Sequence, residues 1–168
     1  MAIKRKRMLG SILIGAAILA VALILIVRLA VRHADTALVD FAALKRPSSP
    51  NTALACAKDT CPSPDLVTEP VALSAVALAA RVPSLLEQEP RVTIAAGDPA
   101  AGRFVLIQRS LVFDFPDTVN IAVQAVDDGH ATLAIYSRSN YGRSDLGINK
   151  ARVKRWLDRL GVPWHAAG

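Results

Sequence analysis

The sequence predicts an α+β fold: an N-terminal transmembrane helix followed by a small antiparallel sheet of three or four strands packed with helices. Three observations carry this expectation. Met8 to Val27 is free of charge. Segments between Arg103 and Ile135 alternate apolar and polar side chains. Val153, Trp156, Leu157 and Leu160 recur at i, i+3, i+4 and i+7, the stripe of an amphipathic helix.

The charge-free run is long enough to cross a bilayer. Twenty helical residues at about 1.5 Å each span roughly 30 Å, the thickness of the hydrocarbon layer. Lys4, Arg5, Lys6 and Arg7 precede the run, and Arg28 and Arg32 follow it. The heavier positive end stays in the cytoplasm. For a bacterial chain this predicts a single-pass protein of the inner membrane, N-terminus cytoplasmic and C-terminal domain periplasmic. A cleaved signal peptide is the rival reading, against which stand the length of the apolar core and the crowding of Arg28 and Arg32 at the cleavage region.

The formal net charge of +6 is a topology signal. Six of the twenty Lys and Arg residues flank the span. The remaining fourteen face fourteen Asp and Glu. A neutral domain argues against nucleic acid as a partner. Cys56 and Cys61 are the only cysteines and bracket a short loop closed by Pro62. In an oxidising compartment they are expected to form a local disulfide. Their spacing is not Cys-x-x-Cys, and no histidine lies nearby to complete a zinc site.

The expected organisation is a cytoplasmic basic stub over 1–7, the transmembrane helix over 8–30, a linker and disulfide-stapled arm over 31–70, a globular domain over 71–163, and a tail over 164–168. Ala34, Ala37, Leu38, Phe41 and Leu44 recur at helical spacing, so the helix is expected to run past the bilayer as far as Leu44. Pro47-Ser48-Ser49-Pro50 ends that pattern. A helix from Val71 to the Leu85–Glu89 region should break at Pro83 and stop at Pro90. Strands are expected at Arg91–Ala95, Arg103–Phe113 and from Val119 to Ala125. Asp127-Asp128-Gly129-His130 then forms a hairpin loop and Ala131–Ile135 the return strand. A last helix from Ile148 to Leu160 ends at Gly161 and Pro163.

Between the last strand and the last helix lies a segment dense in chemistry. Ser137, Arg138, Ser139, Gly142, Ser144, Asp145, Gly147, Asn149 and Arg152 form the pattern S-R-S-x-x-G-x-S-D-x-G-x-N-x-x-R. It resembles the signature of the DUF1499 family. The Asp114-Phe115-Pro116-Asp117 bend and the Ser49-Pro50-Asn51 entry are similar to that family too, and the likeness runs from about Arg46 to Leu160. The Cys56–Cys61 loop departs from the family's commonest form, in which the arm is shorter. The resemblance implies an α+β domain, often exported or lumenal, and implies no activity.

Two readings of this segment stand. In one, the residues are struts: Arg138, at a strand end, pairs with Asp114 or Asp117, Asp145 caps the last helix, and the glycines supply backbone angles closed to other residues. In the other, Arg138, Arg143, Asp145, Ser144, Asn149 and Arg152 make an anion or partner site, with Ser137 and Ser139, at the amino end of the last helix.

Catalysis has weaker support. His33 is beside the membrane, His130 is in a hairpin and His165 is near the chain end, and no Gly-x-Ser-x-Gly elbow occurs. The anchor and the neutral domain therefore predict a non-catalytic accessory or scaffolding subunit. It would touch membrane lipid and dock on an integral membrane protein complex of the envelope, with no cofactor and no metal. A periplasmic binding module for a small anion or lipid headgroup, and an unrecognised hydrolase, are the alternatives.

Overall fold

The computed structural model describes the backbone of residues 2–168 and the side chains from Met8 onward, Leu86 apart. The stub expected over 1–7 lies outside the described side chains.

Helix α1 (Ala2–Ala30) contains the stretch Met8–Ala30, with a mean hydropathy of 2.9 and none of its window covered by the rest of the chain. Its length and composition suit a membrane crossing. The helix stops at Ala30 and does not continue to Leu44. Residues 31–50 form instead an irregular strap laid on the domain. The helical spacing of Phe41 and Leu44 misleads because both pack on a sheet face, with Leu54, Ala122, Ala134 and Tyr136. Strap amides find sheet side chains as partners: Asp35 N–H donates to Asn140 Oδ1 at 3.0 Å and Val39 N–H to Asn120 Oδ1 at 3.2 Å. Thr118 Oγ1 in turn donates to the Asp35 carbonyl at 2.7 Å. Backbone groups so satisfied have no need of a helix ladder.

The expected small antiparallel sheet is overturned. Seven strands form one mixed sheet: β1 (Thr52–Cys56), β2 (Leu66–Thr68), β3 (Val92–Asp98), β4 (Arg103–Arg109), β5 (Pro116–Ala125), β6 (Ala131–Ser139) and β7 (Trp164–Ala166). Their order is β3-β4-β5-β6-β1-β2-β7, and β1–β2 is parallel while every other pair is antiparallel. The strands that were missed lie in the stretches read as arm and tail. In β1, Ala53 to Cys56 are all buried, so the strand has no apolar–polar alternation to reveal it. β2 and β7 are three residues each, too short to show a period, and they pair with each other.

The disulfide Cys56–Cys61 is present and closes the loop that leads from β1 toward its parallel neighbour. In that connection Asp65 receives the Leu54 N–H at 2.8 Å and pairs with Arg46 at 2.8 Å.

One sheet face carries the main core. Helices α2 (Ala75–Ala79), α3 (Ser84–Gln88) and α4 (Ile148–Leu160) cover it. Leu78, Leu85, Trp156, Leu157 and Leu160 pack there on Phe104, Leu106, Ile121, Leu133 and Ile135. The expected break falls between α2 and α3, at Pro83. Gly161 ends α4 in the left-handed region at φ 73°, which its missing Cβ permits. The opposite face carries the smaller cluster under the strap. The sheet is thus covered on both faces, by helices on one side and by the strap that follows α1 on the other.

Candidate functional site

Strand parity decides where the signature residues go. Successive side chains of β6 point to opposite faces. Ser137 meets helix α4, whereas Arg138 faces the strap. Arg138 therefore does not reach Asp114 or Asp117. Its Nη2 donates to Asp35 Oδ2 of the strap in a short charge-assisted bond. The Asp35 carboxyl is held below the usual range, first by the Ala37 backbone N–H and further by Arg138, against the opposing pull of partial burial.

Arg152 goes the other way and is buried. Its Nη2 donates to Asp117 Oδ2 at 2.6 Å, and its Nη1 to Ser137 Oγ at 2.9 Å and Asn149 Oδ1 at 2.6 Å. Its Nε meets Gln108 Oε1 in a short bond. Asn149 spends its amide on the Asn51 carbonyl at 3.0 Å and Ser139 Oγ at 3.1 Å. Asn51 passes the tie on to the Gly142 carbonyl at 2.7 Å. One network thus joins α4, β5, β6, the entry to β1 and the following loop. Every acceptor around the Arg152 guanidinium belongs to the chain itself, which satisfies the buried charge without a guest.

Asp145 takes the place an anion would occupy at the start of α4. Its carboxylate accepts from Gly147 N–H at 3.0 Å and Asn149 N–H at 2.7 Å. Burial works against ionisation there, yet these two donors outweigh it and keep the carboxyl below its ordinary value.

The residues expected to converge at one anion site are therefore distributed. Arg152 and Asn149 lie in the interior, Arg138 is on the far face of the sheet, and Asp145 caps a helix. Arg143 and Ser144 sit on the exposed loop between β6 and α4. The Arg143 side chain makes no hydrogen bond or ion pair with any described residue. Beside this loop, Ser110, Phe115, Ser139, Tyr141, Ser144 and Ile148 help line a shallow groove of about 280 Å³.

None of the three serines of the groove is hydrogen-bonded to a histidine among the described residues, and Ser110 Oγ accepts from Phe115 N–H at 3.0 Å. Ser144 Oγ accepts from Leu146 N–H at 3.3 Å, and Ser139 Oγ from Asn149. His130 pairs with Asp127 in the β5–β6 hairpin, and His165 with Glu69 on β7. No group of three or more His, Cys, Asp or Glu suited to a metal occurs among the described residues.

Sequence reasoning missed three members of this architecture. Asp35 is the partner of Arg138. Gln108 bridges Arg152 and Glu89. Glu89, buried, receives Arg155 at 2.8 and 3.0 Å and also Arg159. For Glu89 a signal existed: an acidic residue just before Pro90 opposite a basic helix flank. For Asp35 and Gln108 the sequence held none, since their partners are set by register alone.

A family model described as a protein of unknown function (DUF1499) matches residues 44–160. No curated protein and no solved structure matches the chain.

Proposed function

We propose that this chain, which belongs to the DUF1499 family, is a non-catalytic accessory subunit anchored in the inner membrane by α1. On this reading its domain lies on the periplasmic side and docks on an integral membrane protein complex. The observation that carries the reading is the strap. A flexible tether would suffice for a domain acting on soluble substrate. Here the chain leaving α1 is bonded to three sheet strands, through Arg109 on β4, Thr118 and Asn120 on β5 and Arg138 on β6. Such bonding fixes the pose of the domain over the helix, as suits a subunit that presents one surface to a neighbour in the same bilayer. The pairing of Arg138 with Asp35, of Arg152 with four acceptors of the chain, and of Asp145 with two backbone N–H groups agrees with this reading. Purification from native membranes in mild detergent should recover a stoichiometric membrane partner with the intact chain and lose it when Asp35→Ala and Arg138→Ala free the strap. A chain that elutes alone from native membranes contradicts the reading.

One observation favours a second reading. Arg143 is exposed and has no hydrogen bond or ion pair among the described residues, and its chain neighbours Gly142 and Ser144 line a groove with Ser110 and Ser139, so a phosphate held by this arginine and these hydroxyls is the ligand to test, against the opposing charge of Asp117 and Asp145 in the same lining. Calorimetry of the full chain in detergent with inorganic phosphate, beside Arg143→Ala, tests it. Heat that is absent, or unchanged by the substitution, removes it.

A further inference from the structure

We infer that the β4–β5 loop and the adjoining Tyr141 form a membrane-contact face, which enters the interfacial layer of the bilayer that α1 crosses. The inference rests on α1 being a membrane span.

The position of the loop comes from its contacts with the end of that helix. Arg28 Nη2 lies 3.9 Å from Asp114 Oδ1. Arg28 is two residues before the end of the apolar stretch, which at about 1.5 Å per residue puts it roughly 3 Å inside that end. Asp114 directly follows the turn over 111–113 in the β4–β5 loop, so this contact sets the loop beside the last turn of the helix. Two more bonds hold the same end of the sheet there. Arg109 Nη2 donates to the Arg32 carbonyl at 2.9 Å, and Tyr141 Oη to the His33 carbonyl at 3.1 Å.

The side chains at that level are the wrong ones for water. Leu111 is 69% exposed, Val112 48%, Phe113 39% and Phe115 36%. Phe113 and Phe115 have ring centroids 5.8 Å apart, and Phe115 and Tyr141 6.1 Å. An exposed apolar cluster of this kind marks a contact site. Aromatic rings favour the headgroup level of a membrane, where an apolar body and a polar tip are both accommodated.

Charge agrees. Arg28 and Arg109 share Asp114 beside the cluster, Arg32 lies on the strap bonded to Arg109, and Arg143 is two residues from Tyr141 on the exposed loop. The excess is positive, which suits anionic phosphates. A protein partner is the other possible occupant. The bilayer is chosen because the loop is held against the helix end, at the depth where lipid headgroups lie.

The test uses the full chain in vesicles of phosphatidylcholine and phosphatidylglycerol. An environment-sensitive fluorophore is placed at Val112→Cys, at Leu19→Cys within the helix, and at Asp128→Cys in the β5–β6 hairpin at the far end of the sheet. The native cysteines are paired and take no label. Nitroxide lipids quench by depth. The expected result is a blue-shifted emission at 112 that is lost to a shallow nitroxide, loss at 19 to a deep nitroxide, and no loss at 128. Adding Phe113→Asp and Phe115→Asp should return the signal at 112 to that at 128. Loss at 19 without loss at 112 overturns the contact face and leaves the anchor standing. Retained emission at both 19 and 112 overturns the anchor and the face together. Equal loss at 112 and 128 overturns the assignment of this face.

Discussion

Arg138 on the last long strand donates to Asp35, 103 residues earlier in the chain and five residues past the end of α1. This bond crosses from the folded domain to the segment that emerges from the helix, so it couples the domain to the end of α1. Arg138 is one quarter exposed and Asp35 nearly half, so solvent weakens the pair.

Breaking it should be cheap in stability and costly in order. A double-mutant cycle of Asp35→Ala and Arg138→Ala is expected to give a coupling of about 0.5–1 kcal/mol. Hydrogen exchange should show the larger effect. The Val39 amide, now held by Asn120, should lose protection in either single variant. Unchanged exchange along residues 33–45 would show that the strap does not need the pair.

Arg152 should behave in the opposite manner. It is buried, and four acceptors depend on it. Arg152→Ala leaves Asp117 uncompensated and should cost about 3–5 kcal/mol in urea unfolding. Arg143→Ala, in the exposed loop before α4, should change stability by less than about 0.5 kcal/mol. Equal effects of the two substitutions would remove the distinction between strut and free cation.

Acid should loosen the α4 side of the domain first. Burial opposes the charge on Glu89, but the hydrogen bond and charge of Arg155, with Arg159, outweigh it and hold the carboxyl below the ordinary 4.5. A lowered carboxyl contributes stability that is present above 4.5 and is lost as pH falls through the folded value. Unfolding midpoints should therefore decline as the pH drops below about 4.5. Glu89→Gln should flatten that decline while lowering stability at neutral pH. An acid limb of the same slope in Glu89→Gln would place the effect elsewhere.

The disulfide closes a loop with a sequence separation of 5. Loop entropy for so short a ring gives about 2 kcal/mol of stabilisation. Cys56→Ala with Cys61→Ala should lose about that amount by urea unfolding. The β1–β6 pairing, which precedes the loop, should survive as protected amides at Ala53 and Ala55. Loss of the whole sheet would mean that the bridge, and not the β1 ladder, holds this edge.

How legible was this architecture? Helix α4 was readable to its ends, because its apolar stripe is regular and Gly161 stops it. β4 to β6 were readable in place from their apolar runs and the turns between them, though the strand expected over Arg103–Phe113 stops at Arg109 and the one expected over Ala131–Ile135 runs on to Ser139, and the disulfide was readable from spacing. β1 was hidden because burial on both faces erases alternation, and β2 and β7 because three residues carry no period. The strap was misread as helix because Phe41 and Leu44 bury themselves in an irregular path. The site was half legible. Asp145 as a cap follows from its place before α4. The separation of Arg138 from Ser137 and Ser139 was available from strand parity, since Asp117 stands opposite Ser139 and Thr118 opposite Arg138. That Asp35 would complete the pair depends on a fold in which the linker returns across the sheet, which no local pattern encodes.

The central claim is that the domain is held in one pose on α1. The direct measurement is the distance distribution between spin labels at Leu25→Cys on α1 and Asp128→Cys in the far hairpin, in the full chain in lipid nanodiscs. The account predicts one narrow distance that broadens when Asp35→Ala and Arg138→Ala are added. A broad distribution in the otherwise unaltered chain would contradict it, for it would mean a domain swinging on a loose tether.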